Sequence, residues 1–148
     1  MKREILFRGK TAKGEWVYGY HAKFRNYKNE VYSAIIPKDE ETGEGYMEDL
    51  HPIIPETVGQ YVGIKDKNGK KLYVGDIIKS ITLDTNTERL AVVGFGKFID
   101  ENNDDEYLGF YIEFDGFRTT ITQLEMEEVK DRFEVIGTVF DKESDNEA

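Results

Sequence analysis

Among its 148 residues the chain has no cysteine, two histidines, three prolines and one tryptophan. With no thiol, a disulfide framework, a thiolate metal site and a cysteine nucleophile are all excluded, and a reducing cytoplasm suits such a chain. No apolar run approaches the roughly 20 residues that cross a bilayer. Lys2-Arg3 is not followed by the apolar core of an export signal. The expectation is a protein that neither spans a membrane nor leaves by a standard signal, and no cofactor is expected.

What is present argues for a folded, β-rich body. Nine Tyr, nine Phe and the single Trp make 13% of the chain aromatic, against 34% charged, a balance too apolar for disorder. By length this is one domain over residues 1–148, with sub-modules at 1–37 and 58–140. The net charge of −10 is unevenly spread: residues 1–38 hold nine Lys/Arg and three Asp/Glu, or +6, while residues 39–148 carry −16. Opposite charge in two parts favours neutralisation within the fold or between protomers. The −16 portion also suggests an acidic mimic of DNA that occupies another protein's basic groove. Overall acidity weighs against non-specific duplex binding, which depends on neutralising phosphates.

The strongest local signal is Asn68-Gly69, flanked by β-branched and aromatic residues from Val58 to Ile64 and from Leu72 to Ile81. A type I′ turn needs positive φ at both central residues, which Asn and Gly tolerate, so a hairpin is expected here. Gly75-Asp76 interrupts its second strand, where glycine marks a bulge or bend. The whole run Thr57–Lys79, with Gln60, Tyr61, Gly63, Asp66, Gly69, Gly75 and Asp76, resembles the signature of the YopX family of phage and prophage proteins. Arg3–Arg8 with Gly14–Gly19, and Phe133–Val139, are similar to that family's two ends. The chain departs from the pattern at Val62, where members often carry Thr. The resemblance implies a phage or prophage protein in the bacterial cytoplasm and raises the expectation of homo-oligomerisation, and it brings no assigned reaction.

Along the chain, 3–8, 15–24 and 30–36 read as an N-terminal β meander, and 38–52 as a mobile acidic loop. Residues 89–99 form a further strand, and 107–114 with 117–121 a hairpin across Asp115-Gly116. Thr122-Gln-Leu-Glu125 fits a capping box opening one or two helical turns, before a closing strand at 133–140. The expected fold is mainly β, antiparallel hairpins forming a small SH3-like barrel with the meander and one or two short helices.

Candidate chemistry is thin. Asp100, Asn102 and Asp104 occupy the first, third and fifth places of a calcium loop, but Asp105 and Tyr111 stand where Gly and Glu are required, so a solvated hairpin tip is the better reading. Gly94-Phe-Gly96 lacks the third glycine and the helix of a dinucleotide site. Ser33, Ser80 or Ser144 with His21 or His51 has no nucleophile-elbow context. His51 with Glu48 and Asp49 offers metal-ligand types, but an exposed loop histidine is the simpler reading. No catalytic or metal residue is therefore assigned, and the protein is read as a non-enzyme.

One stretch has functional colour: Trp16, Tyr18, Tyr20, Lys23, Arg25 and Tyr27. Aromatics interleaved with cations can stack bases and contact phosphates. Equally, Trp16, Tyr18 and Tyr20 at period two can be core or a protomer interface, and this reading is preferred. Gln60 and Tyr61 have no forced structural role. The favoured function is an accessory protein that self-associates, or binds a phage or host protein, through a β surface. The alternatives are a nucleic-acid module and the acidic DNA mimic.

Overall fold

The computed structural model describes residues 4–81, 87–100, 103–126 and 129–141. The chain falls into two compact units, Met1–Tyr61 and Val62–Ala148. In the first, strands β1 (Phe7–Lys10), β2 (Trp16–Arg25), β3 (Val31–Pro37), β4 (His51–Pro52) and the start of β5 (Gly59–Lys65) lie antiparallel in the order β4-β3-β2-β1-β5. The meander is set by its turns. Gly14 N–H bonds Thr11 C=O after β1. After β2, the Asn26 side chain accepts the amides of Lys28 and Glu30 while Asn29 takes φ of 65°, a conformation Asn tolerates.

Residues 38–52 carry a 3₁₀ turn at Met47–Asp49 and then β4, which pairs Ala34 with Pro52 and Ile35 with His51. Within this segment the Asp39 carboxylate accepts the amides of Glu41 and Thr42, and these bonds hold its pKa below the usual carboxylate range.

In the second unit β5 leads into β6 (Lys71–Tyr73), followed by β7 (Asp76–Ile81), β8 (Glu88–Ile99), β9 (Glu106–Phe114), β10 (Phe117–Thr120) and β11 (Glu134–Thr138). The last five form an antiparallel sheet in the order β10-β9-β8-β7-β11. Alternation along these strands sends Ile78, Ala91, Val93 and Ile112 to one face, where they pack with Val62, Leu72, Leu124, Val129 and Phe133. Burying each large apolar side chain contributes about 1.5–3 kcal/mol.

Three sequence expectations are corrected. The fold is mainly β, but among the described residues neither sheet closes into a barrel. At Gly75-Asp76 the chain passes from the sheet that holds β6 to the sheet that holds β7, so the bend switches sheets instead of curling one strand around a barrel. The Asn68-Gly69 turn is not type I′, because only Gly69 has positive φ, at 80°. Gly69 N–H bonds Asp66 C=O and Asp66 N–H bonds Lys70 C=O, a type I turn closed by a glycine bulge. By contrast Asp115 and Gly116 have φ of 52° and 83°, as a type I′ turn requires. Finally, the helix expected from Thr122 is a 3₁₀ turn at Ile121–Glu125 without a side-chain cap. Leu124 anchors it in the core, and the Thr120 amide goes to Asp100. Residues 127–128 lie outside the described residues.

Candidate functional site

The signature residues are placed by backbone demands. Asp66 is buried, and its carboxylate accepts three amides: Oδ1 takes Asn68 and Lys70 at 2.9 Å each, and Oδ2 takes Val135 at 2.9 Å. One side chain thus organises the hairpin tip and ties it to β11. Asp76 is also buried, and its Oδ2 accepts Tyr73 N–H at 2.8 Å across the sheet-switching bend. Gly75 supports that bend: it has φ of 97°, donates to Val93 C=O and accepts from Val139 N–H. Gly63 has φ of 94° with open space where a Cβ would stand, so conformation and not packing calls for glycine. Gln60 is half-buried opposite Phe7, while Tyr61 is buried with its amide on Leu6 C=O.

Asp100, which sequence placed in a loop tip, is a buried carboxylate of the same kind. Its Oδ2 accepts Thr120 N–H at 3.2 Å and its carbonyl accepts Asn103 and Asp104. A fourth carboxylate acts at β11, where Asp141 accepts both the amide and the hydroxyl of Thr138. Strand β11 lies at the end of its sheet, and Asp66 and Asp141 occupy the amides of Val135 and Thr138 there. Capping of this kind blunts strand addition at a sheet edge.

The other candidates do not assemble. Glu48, Asp49 and His51 line a shallow pocket of about 370 Å³ with Pro37 and Leu50. Among the described residues no group of three His, Asp or Glu could hold a metal ion. Asn102 and Ser144 lie outside the described residues. His21 packs its ring on Phe7, with centroids 5.8 Å apart, and its buried Nε2 has no hydrogen-bond partner among the described residues, unlike a triad histidine. Burial, with Lys23 adding repulsion, holds its pKa below 6.5.

The folded state therefore prefers neutral His21, and the unfolded chain binds the extra proton. This contribution is fully present above the unfolded pKa of about 6.5 and is lost as pH falls from there to the lowered folded value. Urea midpoints of the wild type and His21→Gln, compared between about pH 7.5 and pH 5, should converge at the acid end. Parallel curves would contradict the assignment.

Strand β2 divides the aromatic and basic residues. Side chains alternate across a strand, and the register to β1 and β3 is unbroken. Trp16, Tyr18 and Tyr20 therefore share one face, and Lys23 and Arg25 the other. The cations on the aromatic face come from β1: the Arg8 guanidinium is 4.2 Å from the Trp16 ring centroid and Lys10 Nζ 5.4 Å. Tyr20 donates its hydroxyl hydrogen bond to Gly43 C=O. A Cβ on Gly45 would stand 2.8 Å from Ile36 Cγ2 and 3.3 Å from Tyr20 Cδ2, so the acidic segment covers that end of the face. Lys23 and Arg25 are exposed, leading to Tyr27 in the turn, which is 93% exposed.

A second surface lies on β8 and β9, and sequence reading missed it. Strand β7 reaches only Val92 on β8, and β10 only Tyr111 on β9, so residues 94–99 and 106–110 pair with each other as a two-stranded ribbon. One face is closed by its own rings. Phe98 stacks on Tyr107 at 5.7 Å and packs on Tyr111 at 5.4 Å. Tyr111 lies over Gly94, where a Cβ would come within 2.4 Å of its ring. The opposite face stays open: Phe95, Ile99 and Leu108 are 56%, 59% and 69% exposed. Its one trace in the sequence is the odd-numbered run Phe95, Lys97, Ile99, which by itself reads only as a half-buried strand.

Among the described residues no helix is long and apolar enough to cross a membrane. No curated protein matches the chain. A solved structure similar to it is the crystal structure of protein EF1440 from Enterococcus faecalis, with 18% identity, a TM-score of 0.48, and coverage of 93% of this chain and 94% of that one. The family model described as YopX protein matches residues 6–144, nearly the whole chain, which therefore belongs to the YopX family.

Proposed function

We propose that this YopX-family chain is a non-enzymatic accessory protein of a phage or prophage, working in the bacterial cytoplasm through a β surface, in the first instance on copies of itself. The carrying observation is the open ribbon face of Phe95, Ile99 and Leu108. Contiguous exposed apolar side chains on a soluble chain mark interaction sites, and the rings on the other face hold the ribbon for presentation. Support also comes from the use of carboxylates: Asp66, Asp76 and Asp100 direct oxygens to backbone amides, a structural task.

The nucleic-acid reading of the β2 stretch is weakened because Lys23 and Arg25 lie on the face opposite Trp16, Tyr18 and Tyr20, whereas a stacking platform needs its cations beside its rings. Of the two β1 cations that do lie over Trp16, Arg8 is buried and turned from solvent phosphates. The test is size-exclusion chromatography with light scattering at about 50 mM and 500 mM salt, which changes screening of surface charge severalfold. The expected mass is a multiple of 17.1 kDa at both salts. A monomer at both would overturn self-association and turn attention to host-protein or nucleic-acid capture.

A further inference from the structure

The open ribbon has a counterpart of opposite charge on the same chain. The turn between β2 and β3 presents Lys23, Arg25 and Lys28 with Glu30, a net of +2, all exposed. It also carries Tyr27 at 93% and Val31 at 56% exposure. Arg25 and Val31 are cross-strand partners and so share a face. The ribbon presents Asp104, Asp105 and Glu106 with Lys97, a net of −2, all exposed. Registers Phe95↔Phe110, Lys97↔Leu108 and Ile99↔Glu106 put its apolar and charged residues on one face in two columns.

We propose that the β2–β3 turn of one copy docks on the β8–β9 ribbon of a second copy, with Tyr27 and Val31 against Phe95, Ile99 and Leu108, and the lysines against the acidic tip. This rests on the self-association proposed above and names its two surfaces. An exposed tyrosine beside cations has the composition of an interface anchor. The opposite net charges steer the encounter and disfavour turn-to-turn or ribbon-to-ribbon pairing. The contact joins two different patches, so it is heterologous and propagates head to tail until a ring closes.

The experiment is a charge swap on the full chain, read by light scattering after size exclusion, with circular dichroism to verify folding. Lys23→Glu/Lys28→Glu leaves Arg25, which bonds Asn29 in the turn. Asp105→Lys/Glu106→Lys leaves Asp104, whose φ is 60°. Each double variant alone is expected to self-associate about tenfold or more weakly than wild type. An equimolar mixture of the two should recover assembly, because each altered turn then meets an oppositely altered ribbon. Tyr27→Ser, which changes no charge, should also weaken assembly about tenfold. Wild-type oligomers unaffected by either swap, or no recovery on mixing, would overturn the docking mode while leaving self-association intact. A monomeric wild type overturns both.

Discussion

Asp66→Ala is expected to lower unfolding free energy by about 3–4 kcal/mol, because one deletion strips a charged acceptor from three amides. The amides of Asn68 and Lys70 belong to exposed turn residues, so water partly replaces the carboxylate there. The amide of Val135 is the long-range one, joining positions 69 residues apart, and its loss detaches the hairpin tip from β11. Asp66→Asn should cost roughly half as much, since an amide side chain keeps one acceptor oxygen but turns a donor toward another donor. Urea unfolding followed by circular dichroism gives both numbers. A loss under about 1 kcal/mol for alanine, small against a hydrogen bond to a charged group, would mean that the turn closes without its carboxylate. Removing Asp66 also uncovers an edge amide of β11, so the alanine variant should aggregate more readily than the asparagine variant on partial unfolding.

Much of this was written locally in the sequence. The meander, the Asp115-Gly116 hairpin and the long β8 strand follow from period-two alternation between Gly, Asn and Asp punctuation. The opposite faces of Trp16, Tyr18 and Tyr20 and of Lys23 and Arg25 were also legible, because even and odd positions of one strand point apart. What was not legible depended on distant partners. Nothing near Asp100 says that its carboxylate meets Thr120, and nothing near Asn68-Gly69 says that Asp66 will hold Val135 and select a type I turn with a bulge. Closure of a barrel is likewise a property of strand order, and Gly75-Asp76 reads the same whether the bend curls a strand or changes its sheet. The open ribbon was hidden because Phe95, Ile99 and Leu108 look like core residues until the reach of β7 and β10 is known.

The second large effect is expected at Phe133. Its side chain is fully buried in the cluster with Leu72, Leu124 and Val129, and its carbonyl accepts Lys67 N–H at 3.1 Å. Truncation to alanine removes a ring from a closed site and leaves a cavity, at a cost of about 3–5 kcal/mol. Phe133→Leu keeps most of the volume and should cost under about 1.5 kcal/mol. Both would appear as a lowered urea midpoint, with the slope unchanged if the folded and unfolded states keep their exposed areas. Trp16 is the chain's one tryptophan and belongs to the first unit, so its emission in the absence of urea should stay native-like while the midpoint falls. Phe133 and Asp66 act on neighbouring points of one junction, the carbonyl of Phe133 meeting Lys67 and the carboxylate of Asp66 meeting Val135. The two alanine substitutions should therefore fall short of additivity by more than about 0.5 kcal/mol in a double-mutant cycle. Strict additivity would separate the core from the hairpin staple and assign the signature aspartate to the turn alone.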